Sequence, residues 1–267
     1  MFLRDFLAAC LPLDRFNLVS QFVQRDVAMR HRGSMLGWVW LVATPLLTLL
    51  IYTFVFGQIM GARWAAASTG GDFTLRLYSG LIAFGFFSEV ILRAPKLIVD
   101  QPNLVKKTVF PLEILAWVAV GGGLVSLAVN FAVLCAVAAF LGQLQWAALA
   151  APLVVVATLP MLLGAIWFLA ALGVYVRDTA QVVGMGMTML MFLSPVLYPV
   201  SAVPERFRAW LHLNPLTWPI ESIRAAVLDG VLPQPGALAA YLAAGLAVAA
   251  LGWAWFQATR KGFADVL

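Results

Sequence analysis

The chain has 267 residues, 63% of them hydrophobic and 11% charged, with a mean hydropathy of +0.94 and a net charge of +5. So few charges cannot cover a soluble domain of this length, and spans of roughly 20 apolar residues fill the chain about six times over, which leaves no room for a large extramembrane domain. The modest basic excess reports topology rather than nucleic acid, and two cysteines, Cys10 and Cys135, exclude a disulfide framework.

Residues 1–35 read as a cytoplasmic arm. Arg4, Asp5, Asp14, Arg15, Arg25 and Asp26 interrupt every apolar run before it reaches signal-peptide length. Between Asp14 and Arg32, Phe16, Val19, Phe22, Val23 and Val27 recur at helical spacing among polar residues. That pattern predicts a helix lying in the cytoplasmic interface, which either anchors the first span or docks a partner.

Residues 36–267 then form an all-α transmembrane domain of six spans: Leu36–Met60, Leu75–Leu92, Pro111–Leu141, Leu149–Val176, Val182–Val200 and Ala237–Ala258. Gly33 and Gly37 stand at the start of the first span and permit close helix approach or mark a turn; Gly121–Gly123 allow tight packing in the third. The third is longer than a bilayer needs and is expected to tilt. Pro111 suits a helix first turn, and Pro45 and Pro195 loosen hydrogen bonding in the first and fifth spans. Twelve Lys/Arg fall on the side of the termini and five on the other. The positive-inside rule therefore puts both termini in the cytoplasm, as an even span count requires.

Two connections stand out. Residues 93–110 form a short cytoplasmic loop, with a helical piece at Pro95–Asp100 before Gln101-Pro102-Asn103. It is either an ordinary basic loop or an amphipathic knob for a soluble partner. Residues 201–230 are too polar to cross. Pro204 opens one short helix carrying Phe207, Trp210 and Leu211; Asn214-Pro215 breaks it; a second carries Ile220, Ile223 and Val227 and ends at Asp229-Gly230. This outer hairpin either fills space or lids an exit.

Catalytic and energy-converting chemistry is missing. No G-x-x-x-x-G-K-[ST] occurs, His31 and His212 lie far apart, and no nucleophile–base set assembles, so no catalytic residue, metal site or cofactor is expected. The span centres lack Asp, Glu, Lys, Arg and His, which disfavours an ion-coupled carrier and weakens an intramembrane enzyme. Glu89 and Arg93 are expected to pair at i, i+4, and Asn130 to make an interhelical hydrogen bond. A membrane protein of this kind is passive, structural or driven by another chain.

Three stretches resemble the membrane subunit of bacterial polysaccharide-exporting ABC transporters, the group that exports O-antigen, capsular polysaccharide and wall teichoic acid. They are Arg25–Met60, Asn103–Leu115 (NLVKKTVFPLEIL) and Tyr175–Gly230, in the expected order over nearly the whole chain. The resemblance implies a type-2 ABC exporter fold. Two copies pair around a channel in the bacterial cytoplasmic (inner) membrane, and each docks a separate ATPase subunit, so the chain itself is not an enzyme. The substrate implied is a lipid-linked or lipid-anchored polysaccharide, of O-antigen or capsular type. The 93–110 loop becomes the coupling element, with Arg93, Lys96, Asp100 and Asn103 facing the ATPase. Residues 201–230 become outer gate helices, and the first and fifth spans line the channel. Sugars slide over aromatic faces through weak, repeated contacts. The aromatic candidates for that lining are Tyr52, Phe56, Phe192, Tyr198 and Trp218. The rivals are a type-2 exporter of drugs or small lipids and a membrane scaffold of envelope assembly, which would lack an ATPase partner.

Overall fold

The computed structural model describes residues 6, 9–12, 15–30, 39–59, 70–106 and 110–267. Within these residues helices joined by short turns make up the chain, with no strand. Among the described residues five helices are long and apolar enough to cross a membrane: Val39–Phe56, Asp72–Lys96, Ile114–Phe140, Trp146–Tyr175 and Pro235–Val266. The fifth in chain order of the six expected spans is shorter, Thr179–Leu193. Gly33 and Gly37 lie outside the described residues.

The fifth span stops early for a local reason. Its helix does not reach Val200 as expected; Ser194 is already extended, at φ −103° and ψ 152°. Ser194 precedes Pro195, and the proline ring excludes the α region from the residue before it. At about 1.5 Å per residue, 15 helical residues reach only some 22 Å, short of the roughly 30 Å hydrocarbon layer. Non-helical backbone must complete the segment, and its polar groups need partners from elsewhere in the protein.

The core lies between the second, third, fourth and sixth spans, around Tyr78, Val90, Leu134, Ile166, Trp167 and Phe256. The fourth and sixth spans cross closely: a Cβ on Gly252 would strike the backbone of Gly164. Trp167 and Trp253 meet edge-on at 5.2 Å between centroids. The first span is different. Only 6% of its apolar window is buried, against 67% for the second.

The helix expected to lie at the interface spans Phe16–Arg30. Val19 and Val27 are buried, while Phe16 is exposed. The helix lies across the glycines of the third span: a Cβ on Gly121 would meet Val23, and one on Gly122 would meet Arg30 and Asp26. With Gly123, which faces Val90 and Phe86, those glycines seat the N-terminal arm as well as a neighbouring span.

Residues 201–230 form two helices, Glu205–Leu213 and Thr217–Arg224, the second running on as a π turn over Ala225–Asp229. Pro204 sits one residue before the first helix, not inside its first turn. Gly230 ends the second with φ +72°, a left-handed conformation that glycine adopts without a Cβ penalty.

Candidate functional site

Charged residues gather at the two ends of the molecule. At one end, the expected Glu89–Arg93 pair gives way to a crossed arrangement. Glu89 pairs with Arg30, and Arg93 grips Asp26 through two hydrogen bonds of 2.5 and 3.1 Å. Asp26 also accepts from Arg30 at 2.8 Å. The reason is geometric: Glu89/Arg93 and Asp26/Arg30 are both i, i+4 pairs, and the faces carrying them abut, so each residue finds an opposite charge across the helices. Burial pushes the Asp26 carboxyl above its ordinary range, and Arg30 pulls it back only in part. A second knot lies nearby, where Glu113 accepts from Arg15 at 2.8 Å and Arg260 at 3.1 Å. The arm, the third span and the C-terminal segment are tied together there.

The 93–110 connection leaves this end. Its helical piece is a tight turn, Ala94–Lys96, followed by a non-helical turn, rather than a helix over Pro95–Asp100; a short helix follows at Pro102–Lys106, with proline at its first position. Ala94, Pro95 and Ile98 are buried, and Lys96, Asp100 and Asn103 are exposed. The carbonyl of Pro95 rests on Gly173 of the fourth span, where any Cβ would collide with it. Of the four residues expected to face a partner, three are free to do so, and Arg93 is turned inward onto Asp26. Asp100 and Asn103 border a groove of about 480 Å³ whose other wall is Phe22, Arg25, Asp26 and Met29 of the interface helix. The loop and the arm therefore present one continuous surface.

At the opposite end, Arg224 is the organising residue. It is 2% exposed. Its guanidinium donates to the carbonyls of Pro195 at 2.9 Å, Val196 at 3.4 Å and Arg76 at 3.0 Å, and it pairs with Glu221. Asn214 adds bonds to the carbonyl of Leu193 at 3.1 Å and to Ser194 Oγ at 2.9 Å. These two side chains satisfy the backbone freed by the break in the fifth span. Arg76 holds Asp72 at 2.9 Å and Asp229 at 2.6 Å, closing the helices of residues 201–230 onto the second span. Sequence reasoning counted Arg224 only as an outer charge and Asn214 only as a helix breaker. The signal that could have found them is the need of Ser194-Pro195 for donors.

The five aromatic candidates fall into three groups. Tyr52 and Phe56 form a ladder with Phe73, each step 5.7 Å between centroids. Phe192 is exposed on the fifth span, in a stripe with Val182, Met185 and Met189, and Tyr198 donates its hydroxyl to the Phe192 carbonyl at 2.9 Å. Trp218 stacks on Tyr241 of the sixth span at 4.6 Å. Asn130 makes the interhelical bond expected of it, accepting from the Tyr78 hydroxyl at 3.1 Å.

Comparison with known proteins bears on this arrangement. A family described as ABC-2 type transporter matches residues 17–228. The chain is 28% identical over 251 residues to the O-antigen export system permease protein RfbA of Myxococcus xanthus, covering 93% of this chain and 94% of that one. It is 26% identical to the protein of the same name from Klebsiella pneumoniae, over 94% and 95% of the two chains. It is also 26% identical to the polysialic acid transport protein KpsM of Escherichia coli, over 81% and 83%.

Proposed function

The chain belongs to the ABC-2 type transporter family, and from that premise we propose that it is the permease subunit of an ATP-driven polysaccharide exporter. The carrying observation is the near full-length similarity to relatives named for O-antigen export and polysialic acid transport. The polymer is carried as a lipid-linked or lipid-anchored chain across the bacterial cytoplasmic membrane, with both termini of the permease in the cytoplasm. Two copies form the channel, and each docks one separate ATPase subunit.

The geometry supports a division of labour. The first span makes little contact with its own subunit, and the fifth exposes a continuous apolar stripe, as helices that meet a second copy would. Tyr52, Phe56, Phe192 and Tyr198 belong to these two segments and offer aromatic faces to sugar rings; Trp218, stacked on the sixth span, stands at the outer helices. Lys96, Asp100 and Asn103 are the exposed contacts for the ATPase. Behind them Arg93 is a strut that fixes the loop to the interface helix. A push on the loop reaches the fourth span where Pro95 rests on Gly173. At the far end the outer helices, held by Arg224 and Arg76, act as the gate.

Co-purification with an ATPase, together with surface polysaccharide in cells lacking the native gene, tests this reading. A tagged chain that brings down a stoichiometric ATPase and restores the polysaccharide is the expected outcome. A chain that purifies without an ATPase overturns it.

A further inference from the structure

A half-open cavity of about 340 Å³ lies among the first, second, third and fifth spans. Small-molecule sites begin at roughly 300 Å³, so this one has room for a single ring-sized group. Its wall is unusual for a membrane helix bundle. Tyr78, Asn130, Ser126 and Glu89 follow one another along the contact between the second and third spans. The Tyr78 hydroxyl donates to Asn130 Oδ1 at 3.1 Å, and Ser126 Oγ donates to Glu89 at 3.4 Å. Tyr78 and Glu89 are eleven residues apart on one helix, so the row extends about 16 Å along the membrane axis. Tyr52 faces it from the first span.

Gly85, at the middle of this row, adds an independent observation. It is exposed within an otherwise largely buried helix, and a Cβ built on it would meet no described atom within 4 Å. The glycine therefore opens onto free volume. Elsewhere on the same helix Gly80 is tightly covered, so openness is not a general property of its glycines.

From these features we propose that the cavity is a holding site for one neutral sugar ring of the transported polymer. The chemistry selects the class. Hydroxyls, an amide and a carboxylate along one wall exchange hydrogen bonds with vicinal hydroxyls, while Phe86, Leu81 and Tyr52 present apolar surface to C–H faces. Among the described residues no Lys or Arg lines the cavity, and the charge of Glu89 is already met by Arg30, so the wall offers an anionic headgroup no free cation. Contacts of this kind are weak enough for a polymer to leave as well as enter. The proposal rests on the exporter reading and adds a site to the aromatic faces of the channel.

Two variants of the assembled permease–ATPase complex in lipid nanodiscs test it. In a background with Cys10→Ser and Cys135→Ser, the Ser126→Cys variant is alkylated with N-ethylmaleimide in the presence of excess maltotriose or of triethylene glycol. Several-fold slowing by maltotriose alone is expected. Equal rates with both probes, or no slowing, overturn the proposal. Gly85→Leu directs a side chain into the cavity from a Cβ position that meets no described atom within 4 Å, so the complex is expected to assemble normally, and surface polysaccharide is expected to fall several-fold. Undiminished export by that variant also overturns the proposal. Failure of the unmodified complex to export any polysaccharide, with sugar protection of the Ser126→Cys thiol intact, counts against the exporter reading and leaves the sugar site standing.

Discussion

Arg224 Nη2 donates to the carbonyl of Pro195 at 2.9 Å, so a side chain from the second outer helix completes the backbone of the fifth span where proline interrupts it. Each buried carbonyl left without a donor costs about 1–3 kcal/mol. Arg224→Met is expected to lower the melting temperature of the purified complex and to loosen the outer helices. Arg224→Lys is expected to rescue little, because one ammonium cannot reproduce the planar fork that reaches three carbonyls. Gly80→Leu makes a sharper test: its side chain would occupy the space of the Arg224 guanidinium, so it should reproduce the Arg224→Met melting curve. A melting curve unchanged by any of the three would refute this role.

Asp26 and Arg93 should be energetically coupled. A double-mutant cycle with Asp26→Ala and Arg93→Ala is expected to give an interaction of roughly 1 kcal/mol in thermal unfolding, since both groups are only partly exposed. The pH dependence has a definite sign. Asp26 is raised above its ordinary value of 3.8, so its ionisation disfavours the folded state increasingly as pH climbs through the raised value, and the cost is absent below 3.8. Asp26→Asn should therefore flatten the stability profile in that acidic window.

Reversal of charge at Lys96 and Asp100 together should uncouple the two activities. ATP hydrolysis by the assembled complex is expected to persist while export falls, measured as phosphate release against surface polysaccharide. Both side chains are exposed, so assembly should be unaffected. Export at the unaltered level would remove the loop from the coupling role.

Gly173→Ala addresses the same path from behind the loop. An added methyl collides with the Pro95 carbonyl and must displace either the loop or the fourth span. Reduced export with the ATPase still bound is expected, and an added proteolytic sensitivity near residues 94–100 would report the displacement.

Replacing Tyr52 and Phe56 by Ala should impair export while the complex still forms. If export is untouched, these rings face lipid instead of substrate.

The apolar periodicity made most elements legible before any contact was known. Helices occur at Phe16–Arg30, through the glycine-bearing third span, and at Glu205–Leu213 and Thr217–Arg224, where the residues predict them. The misses share one cause. Glu89 and Arg93 satisfy a local pairing rule, yet each prefers a partner on the interface helix, and nothing within one helix reveals which face a neighbour will cover. The break at Ser194-Pro195 was readable as a loosening of the helix, but its donors lie 20 and 29 residues later. The cavity was invisible for the same reason, because Tyr78 and Asn130 are 52 residues apart and meet only when their helices pack.

Sequence alone determined that this is a membrane protein of short loops and charge-free span centres, because a bilayer imposes length and hydropathy on each segment separately. Tertiary structure alone decided what the remaining polar groups do. In a medium without water every donor and acceptor must find its partner within the protein, and the nearest partner in space is seldom the nearest in the chain. Arg93 thereby became a strut, Arg224 a clamp on a broken helix, and Asn130 part of a polar wall.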